Sequence, residues 1–321
     1  MKNSLGCEPM SIDEIISQLQ IDPQHQPVLL REVLVGLTSN RVYLDLSGSQ
    51  GGSLRYLDGT FGRGGHYQGL NKYFKNLRTL AFDQDIEASA KAKIKFKVEV
   101  DSGALELVHG NFSQFLKEKD GTFDMILLDL GVSSPQLDEA ARGFSFYQDG
   151  PLDMRMNQGQ NVTAEVLINT LSEDDLVRVF KEYGEIFRPF RVVRAIVHDR
   201  KTKAFKTTQE LAGLIERVDG WHRKGHHPAT QYFMALRLAV NQELENLKEA
   251  LPRLIDALNP GGRLAVISFH SLEDRIVKWV FKESELGEQI HKKVIEATED
   301  EIKLNSRARS AKLRVFEKKD L

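Results

Sequence analysis

Cysteine occurs once, at Cys7, so the 321-residue chain forms no intrachain disulfide and offers no thiolate cluster to a metal. Long apolar runs are lacking too: none approaches the roughly 20 residues that a bilayer-spanning helix needs. Leu5-Gly6-Cys7 has the outline of a lipoprotein cleavage site, but no basic and apolar leader precedes it. The expectation is a cytoplasmic protein without a membrane partner. An excess of one charge is also missing, the net charge being −2, so nucleic-acid binding would have to rest on local patches. No Gly-Lys pair occurs anywhere, which excludes a phosphate loop of the Gly-Lys-Ser/Thr type. What is present is ordinary globular material: 41% hydrophobic residues, enough for the core of one large domain or two moderate ones.

The chain is organised around Leu54 to Leu77, LRYLDGTFGRGGHYQGLNKYFKNL. An apolar strand ends at Asp58, glycines follow at 59, 62, 64 and 65, and Tyr67, Leu70, Tyr73, Phe74 and Leu77 then recur at helical spacing. In a strand, glycine loop and helix of this kind, glycine permits positive φ and close approach of backbone to a ligand, and the free N–H groups of the helix start face the same space. The next strand, Thr79 to Phe82, ends in Asp83, a carboxylate placed to accept two hydrogen bonds from a ribose diol. Starting the dinucleotide pattern G-x-G-x-x-G at Gly62 puts Tyr67 where the third glycine belongs, which weakens a nicotinamide or flavin reading. Adenosine without a pyrophosphate remains, and S-adenosylmethionine is the commonest such cofactor.

Before that centre, Ser11 and Glu14 form a capping box ahead of Ile12, Ile15, Ile16 and Leu19. Tyr43 to Gly52 partly repeats Tyr56 to Gly65 and is expected to be an inserted hairpin. Beyond it, Phe112 follows the strand Leu105 to Val108, as an adenine contact or a buried aromatic cap. The run Phe123 to Leu130 reads as a strand buried on both faces, with Asp129 at its C-terminal end, pointing into the ligand crevice of a parallel sheet. Gly131 to Pro135 resembles a hydrolase elbow, but Pro135 replaces the final glycine and no helix pattern begins there, so a serine hydrolase is disfavoured.

From Leu137 to about His227 the alternation of strands and helices stops. Arg142 to Pro151 is a glycine and aromatic loop, and helices are expected at Ala164 to Leu171, Ser172 to Tyr183, Arg191 to Arg200 and Thr208 to Val218. Arg188, Arg191, Arg194, Arg200, Lys201, Lys203 and Lys206 stand against the single acid Asp199, a run that is a solvated face or a phosphate-binding one. His222, His226 and His227 lack nearby carboxylates or thiolates, and no metal is expected. Thr230 to Leu258 reads as one long helix kinked or broken by Pro252, followed by an Asn-Pro-Gly-Gly turn and a strand Arg263 to Phe269. Ser271 and Asp274 make a capping box for the next helix, and six basic residues between Ser306 and Lys319 form a second local patch.

The segments HQPVLLREV, YLDGTFGRGGH, FDQD, HGNF, LLDLGVSSPQLDEAARGFSF, DGPLDMRM, HPATQYFMALRLAVN, LNPGGRLAVISFHSLEDRIVK and RARSAKLR cover most of the chain from His25 onward. In these segments the chain resembles the bacterial RsmH (MraW) methyltransferases, which methylate the exocyclic N4 of a cytidine in small-subunit (16S) ribosomal RNA. The resemblance implies an α/β fold of the Rossmann-like class I methyltransferase type with an inserted α-helical domain. Residues 1–140 and 228–321 would form the S-adenosylmethionine-binding domain, and residues 141–227 the substrate-recognition insert. It further implies cofactor contacts from Gly64, Gly65, His66, Asp83, Phe112, Asp129 and Gln136, and as partner small-subunit ribosomal RNA within the assembled small subunit. The chain departs from the family's common GEERFAKR at GEIFRPFR, residues 184–191, and has Asn305-Ser306 where Asn-Pro is usual.

Methyl transfer to N4 calls for an acceptor of the N4 proton. Asp129 or oxygens of Ser133, Ser134 and Pro135 are candidates, with Phe144, Phe146 or Tyr147 stacking the base. Two competing classes are a nicotinamide oxidoreductase, disfavoured by Tyr67, and an RNA-binding protein without turnover. The sequence leaves oligomeric state open.

Overall fold

A computed structural model describes residues 11–19, 26–38, 53–74, 76–117, 122–221 and 227–319. Cys7, the Tyr43 to Gly52 repeat, His222 and His226 lie outside them. The chain divides into two compact units, Met1–Gly131 with Leu247–Leu321, and Val132–Asn246.

The first unit is built on one sheet. In chain order its described strands are β1 (Leu54–Asp58), β2 (Leu77–Asp83), β3 (Leu105–His109), β4 (Phe123–Asp129), β5 (Leu258–Ser268), β6 (Gly287–Gln289), β7 (Ile295–Glu296) and β8 (Lys312–Lys318). Their order across the sheet is β3-β2-β1-β4-β5-β8-β6, with β7 also paired to β8. Strands β1 to β5 run parallel, and β8 lies antiparallel to β5, β6 and β7. From β1 the chain winds outward through β2 and β3, then returns to place β4 on the other side of β1. That reversal is a topological switch point, and in open parallel sheets the crevice beyond the carboxyl ends of the strands there is the place for a ligand.

The near-continuous apolar strands follow from burial on both faces. Tyr56, Met125, Leu127, Ala265 and Ile267 point into a cluster with Leu34, Leu37, Tyr67 and Leu70. The alternate residues Leu57, Ile126, Leu128, Leu264 and Val266 enter the opposite cluster with Leu251, Leu254 and Val277. Strand β5 takes up the Asn259-Pro260-Gly261-Gly262 segment expected as a turn, and its register against β4 shifts between Phe123 and Met125. The expected long helix breaks not at Pro252 but at Gln242, whose φ of 49° is left-handed and ends the helix Ala229–Asn241. Pro252 sits inside the following helix, Glu243–Asp256.

The second unit is helical, with Ala164–Thr170, Glu173–Glu182, Phe190–Asp199, Thr208–Asp219 and Ala229–Asn241 as its long elements. Thr163, Ser172 and Thr207 each cap a helix start through their side chains. Ile168, Leu176, Phe180, Val193, Ile196, Leu211, Ile215, Tyr232 and Leu236 form its core. The unit begins at Val132 and ends at Asn246, so the boundaries at 141 and 227 are too narrow. The reason lies in packing: Val132 and Leu137 lean on this core, and the helix Ala229–Asn241 buries Ala229, Tyr232, Phe233, Ala235, Leu236 and Val240 in it.

Candidate functional site

Three carboxylates end the strands at the switch point: Asp58 on β1, Asp83 on β2 and Asp129 on β4. The glycine loop between β1 and the helix Gly65–Tyr73 is fitted closely beneath them. Gly59 donates its N–H to Leu127 O at 2.9 Å, and a Cβ there would meet Leu128 Cδ2 at 2.4 Å and Phe112 Cβ at 2.9 Å. Gly64 has φ +68°, and a Cβ on it would meet the rings of Phe96 and Phe61 at 2.5 and 2.8 Å. Phe112 is buried in the apolar cluster that includes Leu57 and Leu128.

Asp83 is bound to the loop itself. Its Oδ2 accepts the Gly62 N–H at 2.6 Å and its Oδ1 the Asp85 N–H at 2.8 Å. Burial pushes this carboxyl up to about 6, against the pull of those two donors. Each oxygen retains a lone pair for a further donor. Asp58, not among the residues expected at the site, is buried; it accepts the Tyr56 hydroxyl at 2.8 Å and the Thr60 N–H at 3.2 Å. Burial raises it to about 7. An acid heading the glycine loop was the available signal.

Asp129 is the least satisfied of the three. Its backbone N–H donates to Thr60 Oγ1 at 2.6 Å, while its Oδ1 is buried without a hydrogen-bond partner. Burial first, then the charges of Asp58 and Glu273, push it up to about 8. His66 Nδ1 faces its Oδ2 at 3.9 Å. The other ring nitrogen, Nε2, lies 2.9 Å from Val28 O and so must donate to that carbonyl. Burial holds His66 down to about 4, so the ring is neutral and Nδ1 presents a lone pair toward Asp129.

His66 therefore brings no positive charge to balance Asp129. Three desolvated acids and an orphan oxygen suit a ligand bearing positive charge and N–H or O–H donors. S-adenosylmethionine, with a sulfonium, an ammonium and a ribose diol, fits that donor set; an anionic pyrophosphate does not.

Gly64, Gly65, His66, Asp83, Phe112 and Asp129 thus gather around one loop of the first unit. Ser133, Ser134, Pro135 and Gln136 belong to the second. There a short helix, Ser134–Asp138, does begin, against expectation: Ser133 caps it, and Gln136 Oε1 accepts the Ser133 N–H at 2.9 Å. Ser-x-x-Gln with proline in the first turn was a legible start signal. Phe144 is buried, with the Arg142 guanidinium 5.9 Å from its ring centroid, so its ring offers no open face to a base. Phe146 packs on Phe233 and His227, whereas Tyr147 is 79% exposed.

Among the basic residues, Arg200 is structural, donating to Ile168 O and Leu171 O at 2.7 Å each. Arg188, Arg191 and Arg194 stay on the surface. The tail patch shrinks as well, since Arg314 is buried against Asp274 at 2.8 Å and Lys318 donates to Asp256 O. The helix Ser271–Glu283 is capped by His270 and Glu273, one residue earlier than the expected Ser271 and Asp274. Among the described residues no group of three or more potential ligands could hold a metal, and no helix is long and apolar enough to cross a membrane.

Residues 22–319 match the MraW methylase family. The chain is similar to the ribosomal RNA small subunit methyltransferase H of Bdellovibrio bacteriovorus, 63% identical over 300 residues that cover 93% of this chain and 89% of that protein. It is similar to the proteins of the same name from Legionella pneumophila, 42% identical over 92% of this chain and 99% of that one, and Coprothermobacter proteolyticus, 43% identical over 92% and 96%. Among solved structures, an rRNA methylase from Streptococcus thermophilus has a TM-score of 0.39 at 12% identity, covering 84% of this chain and 88% of that one, a likeness too slight to argue from.

Proposed function

Since the chain belongs to the MraW methylase family, we propose that its S-adenosylmethionine-dependent methyl transfer is directed to the exocyclic N4 of a cytidine in small-subunit ribosomal RNA. The observation that carries this reading is the trio Asp58, Asp83 and Asp129 at the switch point, with Asp129 Oδ1 buried and unsatisfied. When bound, the cofactor supplies a methyl group on a sulfonium, already a strong electrophile.

The protein's work is then to hold the acceptor amine in line and to manage one proton. Cytosine N4 is a poor nucleophile because its lone pair is delocalised into the ring. Asp129 Oδ1 is a free acceptor at a strand end, and in its ionised form it takes a hydrogen bond from N4–H and favours rehybridisation of the nitrogen. Asp83 would hold the ribose, Asp58 and Asp129 the cationic part, and Gly64 and Gly65 the close backbone approach. Gln136 and the Ser133-Ser134-Pro135 turn remain proposed contributors. In the second unit, Tyr147 offers an exposed ring to a base, and Arg191 and Arg194 exposed cations to phosphate. The substrate form we favour is the assembled small subunit, where the target loop is displayed in a fixed shape.

Labelled-methyl incorporation into small-subunit RNA, followed by nucleoside analysis, tests the reading. Label should appear on N4 of cytidine and fall at least 100-fold with Asp129→Asn, in line with the usual weight of a positioned acid or base. Label on a ring carbon, or equilibrium dialysis showing NAD bound in place of S-adenosylmethionine, would overturn it.

A further inference from the structure

The turn between the helices Glu173–Glu182 and Phe190–Asp199 holds a phenylalanine out of the fold. Phe187 is 81% exposed, and Phe190, three residues on, is 40% exposed. The segment is built to keep this shape. Gly184 has no room for a side chain, since a Cβ would meet Phe180 O at 2.7 Å. Glu185 follows in the left-handed region with φ 49°, and Ile186 N–H donates to Phe180 O at 3.1 Å, anchoring the turn one residue before Phe187. Pro189 then fixes the backbone at the start of the next helix.

Cations lie on both rings. The Arg188 guanidinium is 5.5 Å from the Phe187 centroid, and Lys181 Nζ is 4.7 Å from that of Phe190. Arg191 and Arg194 are exposed on the first turns of the following helix, and Glu173 approaches Arg194 at 3.6 Å. From Ile186 to Val197 the chain carries three arginines and no acid. An apolar partner would desolvate these cations without pairing them, and a second copy of this face would bring like charges together. A nucleotide answers both features, because every base has a π-face to lay on an aromatic ring and carries a phosphate within reach of flanking cations.

We propose that Phe187 is a stacking platform for an unpaired base of the RNA substrate, with Arg188, Arg191 and Arg194 neutralising the adjoining phosphates. The proposal rests on the reading of the chain as an RNA-directed methyltransferase and adds to it a binding subsite in the helical unit.

The test uses the full-length protein and a single-stranded oligocytidylate of about ten nucleotides at low salt, beside the same backbone with every base removed. Phe187→Ala should weaken binding of the base-bearing strand roughly 5- to 150-fold and leave the abasic strand unaffected. Phe187→Trp should retain affinity, and its emission, taken as a difference from the parent protein, should be quenched by the base-bearing strand only. Arg188→Gln with Arg191→Gln should weaken both strands and flatten the salt dependence.

Unchanged affinity of Phe187→Ala, an equal loss on the abasic strand, or no quenching in Phe187→Trp at saturation would overturn the proposal. So would sedimentation showing that Phe187→Ala dissolves a dimer, which would make the face a contact between copies. Methyl incorporation by the unaltered protein, measured in parallel, separates the two readings: its absence overturns the enzymatic one, and its presence with unaltered Phe187→Ala binding overturns only the subsite.

Discussion

At the scale of single residues, the site is a set of carboxylates held in the wrong charge state for an isolated protein. Asp58, Asp83 and Asp129 are raised by burial to about 7, 6 and 8 from 3.8. A group whose folded pKa lies above its unfolded one adds stability that is complete below the unfolded value and is lost as pH rises through the folded one. Through these three groups the ligand-free protein should therefore lose stability progressively as pH rises from about 4, the loss being complete above about pH 8. His66, lowered to about 4 from 6.5, works the other way, its contribution being present above 6.5 and lost as pH falls toward 4. A cationic ligand prefers the ionised carboxylates, so the shift in melting temperature given by saturating S-adenosylmethionine should be larger at about pH 7.5 than at about pH 5.5. An equal or smaller shift at the higher pH would contradict the assignment. Asp83 carries a second expectation. Losing a hydrogen bond to a charged acceptor costs about 1.5 to 3 kcal/mol, so Asp83→Ala should weaken cofactor binding roughly tenfold or more. Because Asp83 also accepts the Gly62 N–H, Asp83→Asn, which keeps an acceptor there, separates a ribose contact from loop support. Calorimetric titration of both variants, with circular dichroism to confirm folding, decides it.

At the scale of elements, the glycine loop and the strand ends were legible because their signals are local. Asp83 and Asp129 close runs of alternating or continuous apolar residues, and Gly62 and Gly64 stand between a strand pattern and a helix pattern. What escaped was set by neighbours distant in sequence. Gln242 ends its helix with a left-handed residue that any polar side chain in that run resembles, while Pro252, the louder signal, is accommodated within a helix. Arg314 reads as one more cation of a basic tail until β8 pairs with β5 and turns it inward to Asp274. The loop itself can be probed by comparing two left-handed glycines. Gly103, at φ +72°, has nothing within 4 Å of where a Cβ would stand, whereas Gly64 would drive one into Phe96 and Phe61. Gly103→Ala should cost only the backbone term, about 1 to 2 kcal/mol. Gly64→Ala should cost that and about 1 to 3 kcal/mol more for overpacking. Urea midpoints at constant slope measure the difference, and equal values would mean that the aromatic wall yields. In the helical unit, reversing Arg191 and Arg194 to glutamate should leave S-adenosylmethionine binding intact while lowering RNA affinity and its salt slope. An unchanged slope would make the run a solvated face only.

At the scale of the whole molecule, charge is distributed rather than massed. The net charge is −2, and of the two basic runs, once Arg200 and Arg314 are assigned to carbonyls and to Asp274, the exposed members are Arg188, Arg191, Arg194, Lys201, Lys203 and Lys206 in one unit and Arg309 and Lys319 in the other. With a net charge near zero, the protein lacks the uniform basic field with which non-specific single-strand binders follow a backbone. Its grip on a flexible oligonucleotide should be weak, because each set would meet few phosphates and the strand must be ordered at its own entropic cost. A folded ribonucleoprotein removes that cost by presenting phosphates at fixed positions and splaying the target base from a displayed loop. Methyl transfer to cytidine N4 should therefore be much faster on assembled small subunits than on naked ribosomal RNA, and slowest on a short oligonucleotide of the same sequence. Labelled-methyl incorporation at matched concentrations of the three substrates gives the order directly. Equal rates on the subunit and the oligonucleotide would show that the target's shape contributes nothing, and that the separated cations are not read together.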